Sequence, residues 1–309
     1  MSGKLRIGFL GECMLELSDG RSDIQYGGDT LNAAVYFSRL NKKSIFNCYY
    51  LTALGDDDLS VQMIAAWEKE NISTQYVDRL PGKLPGLYMI KTNDQGERSF
   101  YFWRNDSAAK AYLSTDTFSN VIINKQLDVL YLSGISLGIL PTGDKKKLLK
   151  LLKEFKNNGG IIAFDNNYRP QLWKAEEAEL YYSQILGMVD IALLTEEDEL
   201  AVHGFHDSEE LMSFYQKSAV PEVVIKRGAE ACVIICNKTI EVVDGVAVPQ
   251  ENVVDTTAAG DSFGAAYLYY RLHGKNTEEA AKTAHLLAST VIQEHGAVIP
   301  VEKMPVFLP

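Results

Sequence analysis

The segment of this chain best equipped for chemistry is Asp255-Thr256-Thr257-Ala258-Ala259-Gly260-Asp261. It stands directly before a run with helical spacing. Small residues let backbone N–H groups approach an oxyanion closely, and a helix N-terminus aims a partial positive charge at the same spot. Asp261, at the head of that helix, is placed to take a proton from an attacking hydroxyl. An isolated Gly-Asp would read as a simple helix cap. The whole heptapeptide in that context points to an anion site with a carboxylate base.

Other candidates are weaker by themselves. Arg104 ends the aromatic run FYFWR, and Arg169 follows an apolar run in DNNYR, a usual ligand position in open parallel sheets. A guanidinium gives a carboxylate two parallel hydrogen bonds, but a lone arginine is more often solvated or structurally paired. Gly27-Gly28 reads locally as a turn, and Tyr88 in LPGLY fits either a ligand contact or a core tyrosine with a satisfied hydroxyl. The acidic run Glu196-Glu197-Asp198-Glu199 is an ordinary helix start. His285 lies on an apolar helix face, where histidine usually packs. Cys232 and Cys236 alternate with Ile234 along one strand face; a zinc site would need two further ligands, so buried thiols are expected.

The elements that must position these residues alternate. Apolar runs at 5–10, 46–55, 129–134, 161–167 and 190–195 read as strands, with helices expected near 30–40, 59–70, 143–158, 175–187 and 196–202. Such alternation predicts a parallel sheet with crossover helices. EVVIKRG and ACVIIC add two strands, and a helix over 259–272 is followed by another opened by Asn276 and Glu279 at capping-box spacing. Two stretches break the alternation: 13–27, with a turn at Asp19–Gly20, and 86–104, a hairpin around Asn93–Gly96. Together they predict a small antiparallel sheet over the mouth of one large domain. The 309 residues are 46% apolar and 23% charged, an ordinary globular composition. A net charge of −11 argues against a nucleic-acid partner but not against an anionic ligand held by a few placed arginines. No run reaches membrane-spanning length, and the opening strand lacks a signal-peptide cleavage site, so a cytoplasmic protein is expected.

DTTAAGDSF together with Gly27-Gly28-Asp29-Thr30-Leu31-Asn32 resembles the two signatures of the ribokinase family of carbohydrate kinases. The likeness spans the whole chain. GECMLEL, LPGLYMI, GERSFYFWRN, FDNNYRPQLW and KRGAEAC are similar to the branch that phosphorylates 2-keto-3-deoxygluconate, a sugar acid of uronate breakdown. The resemblance implies an α/β three-layer sandwich: a mostly parallel sheet between helices in a single domain over 1–309, with a β-sheet lid from segments near 13–27 and 77–104. It implies ATP and Mg²⁺ as cofactors and a homodimer through the lid. It makes Asp261 the base and the N–H groups of Ala258, Ala259, Gly260 and Asp261 the anion hole. Gly28, Asp29, Asn32, Tyr88, Phe102, Arg104 and Arg169 become substrate contacts; Thr195, Lys226, Gly228 and His285 join Ala258 and Gly260 on the nucleotide side. Asp198 or Glu199 would reach the metal through water. Phe102 and Thr195 depart from the family pattern, which has tyrosine and asparagine there. Tyr101 would face the opposite side of a regular strand and cannot replace the lost phenol.

Three other readings have discriminating features. A kinase for a neutral sugar such as fructose would not need two arginines. A non-catalytic sugar-acid sensor would be expected to lack Asp261 or Gly260. A dinucleotide-binding dehydrogenase would need a G-x-G-x-x-G turn into a helix after the first strand, where GFLGECMLEL continues as strand.

Overall fold

The computed structural model describes residues 4–18, 24–92 and 98–307. The chain runs through β1 (Leu5–Leu10), β2 (Met14–Ser18), β3 (Gln25–Gly27), α1 (Asp29–Leu40), β4 (Phe46–Leu54), α2 (Asp58–Lys69), β5 (Val77–Arg79), β6 (Gly86–Thr92) and β7 (Arg98–Trp103). Then follow α3 (Thr117–Ile123), β8 (Val129–Ser133), α4 (Gly134–Gly138), α5 (Thr142–Asn157), β9 (Ile161–Asp165), α6 (Ala175–Leu186), β10 (Ile191–Thr195), α7 (Glu196–His203) and α8 (Ser208–Lys217). The last elements are β11 (Glu222–Lys226), β12 (Cys232–Cys236), β13 (Thr239–Val243), α9 (Ala259–Leu272) and α10 (Thr277–Val291).

Nine strands form one sheet in the order β13-β12-β11-β10-β9-β8-β1-β4-β5, in which β12, next to one edge, is the strand that runs against the others. Its central strands are apolar along their whole length because both faces are covered. In β8, Val129 and Tyr131 face the layer of α1, α2, α9 and α10, while Leu130 and Leu132 face that of α3, α5, α6 and α8. Cys232, Ile234 and Cys236 share the first of these layers. The Asn276–Glu279 capping box is present, each side chain bonding the other's backbone.

The second sheet is β3-β2-β6-β7. It was expected to be antiparallel, but it is mixed: β2 pairs with β6 in parallel, while the two flanking pairs are antiparallel. The reason is connectivity, since α1, β4, α2 and β5 intervene between its two halves and bring β6 back in the direction of β2. Residues 77–79, inside the second expected lid segment, pair with β4 in the large sheet instead. The expected turns at Asp19–Gly20 and Asn93–Gly96 lie outside the described residues.

Strand order reverses between β1 and β8, because β1 continues to β4 on one side while β8 begins the run to β11 on the other. In open parallel sheets the crevice at such a switch point, beyond the carboxyl ends of the strands, is where ligands bind. The cleft of this protein lies there.

Candidate active site

α9 opens on the cleft without a side-chain cap. Its N-cap, Ala258, has φ +61°, a left-handed conformation that costs a non-glycine residue about 1 kcal/mol. The surroundings impose it. Buried Asp255 accepts bonds from the Thr257 N–H at 3.0 Å and hydroxyl at 2.7 Å, and from the Gly296 N–H at 3.0 Å. Held so, the helix start presents first-turn amides that have no acceptor within the helix. One expected member differs: the Ala259 N–H donates to the Thr256 carbonyl at 3.2 Å, because the turn into the helix closes there.

Asp261, in that first turn, accepts a bond from Asn32 Nδ2 at 2.8 Å. The two residues are far apart in sequence, and α1 packs along α9 to bring them together. Asp29, at the start of α1, accepts from Asn167 Nδ2 at 2.7 Å and from the Thr30 N–H at 2.8 Å. Burial pushes the Asp261 carboxyl up to about 7, helped by the neighbouring charge of Asp29 and opposed by the Asn32 bond. Asp29 is also raised, again chiefly by burial. Loss of water disfavours the charged form of a carboxyl, and a like charge sharing the space disfavours it further.

Gly28 follows β3 where the chain passes the exit of β1. A Cβ at Gly28 would lie 2.2 Å from the Glu12 carbonyl oxygen, so only glycine allows this approach. Across the cleft, Phe102 of β7 stands opposite Tyr88 of β6, ring centroids 6.0 Å apart, with Phe100 stacked on the same side. Phe100 and Phe102 line the cleft and Tyr101 does not, as strand alternation requires. The Tyr88 hydroxyl donates to Glu16. Arg104, just past β7, donates to buried Glu12, and Arg169 donates to the Tyr168 carbonyl at 3.0 Å.

The ends of β9, β10 and β11 build the remaining wall. Lys226 Nζ reaches Asp165 Oδ2 at 2.7 Å, and both are buried. Asn166 grips the end of β10, its amide donating to the Thr195 carbonyl at 3.0 Å and accepting from the Thr195 N–H at 2.9 Å. Asp198 lines the cleft and accepts the Tyr168 N–H at 3.1 Å. Glu199 turns inward, fully buried on Asn166 and Tyr215, and burial raises its carboxyl to about 7. Of the two acidic candidates, only Asp198 therefore faces the cleft.

The cleft encloses about 710 Å³ and gathers Gly28, Asp29, Asn32, Tyr88, Phe102, Arg104, Arg169, Thr195, Asp198, Lys226 and the 258–261 turn. Gly228 and His285 are not among its lining. Gly228 sits in a turn with φ +59°, and His285 packs edge-on against Phe263, centroids 5.0 Å apart. Sequence reasoning missed Asp165 and Asn167. Their signal was available, since they belong to the same strand end, FDNNYR, that carries Arg169. No group of three or more His, Cys, Asp or Glu that could hold a metal occurs among the described residues. This donor set fits magnesium, which is usually held by one or two carboxylates, waters and substrate phosphates rather than by a protein cage. Asp198 lines the cleft, and the buried Asp165 Oδ1 has no partner among the described residues.

Residues 19–304 match the model of the pfkB family of carbohydrate kinases. The 2-dehydro-3-deoxygluconokinase of Dickeya dadantii is 49% identical over 306 residues, 97% of this chain and 98% of the relative. The enzyme of that name from Escherichia coli K12 is 48% identical over 305 residues, 97% and 99% of the two chains. Among solved structures, the 2-dehydro-3-deoxygluconokinase of Thermotoga maritima superposes with a TM-score of 0.83 at 22% identity, covering 97% of this chain and 96% of that one. An Escherichia coli putative ribokinase II, in complex with ATP and Mg²⁺, superposes at 0.79 and 21% identity, covering 97% and 96%. By sequence over nearly its full length, and by fold, this chain belongs to the pfkB family of carbohydrate kinases.

Proposed function

We infer that this protein is an ATP- and Mg²⁺-dependent kinase of 2-keto-3-deoxygluconate, the sugar acid also called 2-dehydro-3-deoxygluconate. The observation that carries the reading is near-half identity, end to end, to enzymes of that name. The cleft supports it chemically, with a carboxylate beside an uncapped helix start at one end and two arginines on its walls.

In the proposed reaction the 6-hydroxyl of the sugar attacks the γ-phosphorus of ATP. A new O–P bond forms, the bond to the bridging oxygen breaks, ADP leaves with that electron pair, and Asp261 takes the hydroxyl proton. The first-turn amides of α9 receive the charge of the transferring group, and Lys226 adds a cation beside Gly260. Asp198, with Asp165, would hold magnesium through water; the ion supplies neutralisation of phosphate charge when bound. Gly28, Asp29, Asn32 and Tyr88 line the sugar, with Arg104 and Arg169 on its carboxylate. Gly228 and His285 are proposed for the nucleotide's far end. The small sheet is proposed as a lid, and its exposed Tyr101 and Trp103 as part of a homodimer contact.

Release of ADP from Mg-ATP tests the reading, with 2-keto-3-deoxygluconate compared against gluconate, fructose and ribose. Turnover should favour the keto-deoxy acid. A preference for fructose would remove the carboxylate role from both arginines. A base raised to about 7 must be ionised to act, so kcat/KM should fall with decreasing pH through that region. Asp29→Asn removes a like charge, and the acid limb should then move to lower pH. An unmoved limb would show that burial alone sets it.

A further inference from the structure

Glu12 is a buried carboxylate that the reaction above does not use. It follows β1, and its fully buried side chain accepts one bond from Arg104 Nη2 and another from the Ser107 hydroxyl at 2.5 Å. Its backbone carbonyl lies against Gly28. Glu12 thus joins the exit of β1 in the large sheet to the end of β7 in the small one, beside the loop that opens α1. Arg104 hangs at that joint. One nitrogen is fixed on Glu12, and Nε is buried without a partner among the described residues, yet the side chain lines the cleft.

A guanidinium is a planar fork of N–H donors on a long, flexible stem. Fixing one nitrogen on an immobile carboxylate fixes the plane, so the remaining donors keep one orientation before any ligand arrives. Preorganisation of this kind improves binding by removing the cost of ordering. Glu12 would also repel a second carboxylate, but its bond takes one of the five guanidinium donors and leaves the charge of Arg104 in place.

We infer that Glu12 is a positioning residue that orients Arg104 toward the substrate carboxylate and so contributes to preference for an acid sugar. This rests on the reading of Arg104 as a carboxylate contact. The test compares KM values for 2-keto-3-deoxygluconate and for ATP in Glu12→Gln, Arg104→Met and the double variant. KM does not depend on the fraction of enzyme that folds, so a poor yield leaves the comparison intact. Glu12→Gln should raise the sugar-acid KM about tenfold while the ATP KM and kcat stay within about twofold. On the Arg104→Met background the same change should move the sugar-acid KM by less than about twofold, because no guanidinium remains to be oriented. An unchanged or lower KM in Glu12→Gln overturns the inference, as does an equal increase on both backgrounds. If Arg104→Met alone leaves the sugar-acid KM unchanged, the carboxylate reading fails first and takes the role of Glu12 with it. Should Glu12→Gln not fold, Ser107→Ala loosens the same carboxylate from its other side; a rise of about threefold in sugar-acid KM supports the inference, and no rise overturns it.

Discussion

Asp261→Asn should lower kcat by about 10²- to 10⁴-fold, the usual contribution of a general base, with both KM values within a few-fold of the parent. The substitution is nearly isosteric, and the asparagine carbonyl can still accept the bond that Asn32 now gives Asp261 Oδ2. What is lost is a site for the proton. The fold should not suffer. The folded carboxyl titrates near 7 while its ordinary value is 3.8, so the folded state binds this proton more tightly than the unfolded one. The ionised group therefore disfavours folding at pH 8, and that penalty fades as pH falls through 7. A neutral amide escapes it, so the Tm of the variant at pH 8 should equal or exceed that of the parent. Steady-state kinetics with a thermal scan checks both halves. Retention of more than about a tenth of kcat would assign the proton to another acceptor, of which Asp29 is the nearest charged neighbour by its effect on Asp261.

Arg104→Met is the second large effect. The guanidinium is mostly buried, at 11% exposure, and its removal strands Glu12, which has none. Truncating one member of a buried charge pair costs about 2–5 kcal/mol. Two consequences should separate. Specificity for the keto-deoxy acid should fall by roughly 30- to 10³-fold in kcat/KM, through KM, as the substrate carboxylate loses its hydrogen-bonded cation. Stability should fall as well, because among the described residues Glu12 keeps the Ser107 hydroxyl as its one side-chain donor. Neutralising Glu12 in the same chain should recover part of the Tm without recovering the KM. If Arg104→Met changes Tm alone, the residue is a structural tie between the two sheets and not a substrate contact.

Chain-local patterns told much of this protein in advance. Continuous apolar runs placed the central strands, because both faces of a parallel sheet must be apolar, and period-3.6 hydrophobicity placed their crossover helices. The helix start at 258–261 was legible from small residues alone, and the Asn276–Glu279 box from its spacing. The alternation of Phe100, Tyr101 and Phe102 followed from the pleat. Asp261 stood out because its neighbours in sequence are also its neighbours in space.

What the sequence could not decide depends on contacts between distant segments. The 229-residue step from Asn32 to Asp261 is closed only by the packing of α1 on α9. The parallel pairing of β2 with β6 follows from the path of the five elements between them, which no local pattern encodes. Asp198 and Glu199 are adjacent in one acidic run, and only the third dimension turns one to the cleft and the other into the core, because successive helical residues point about 100° apart. The rise of the Asp261 carboxyl to about 7 comes from burial beside Asp29, which lies in α1 at the other end of the chain. Residue types thus determined which chemistry was possible. Tertiary packing decided which groups share one desolvated space, and that burial, with the charges inside it, sets their protonation.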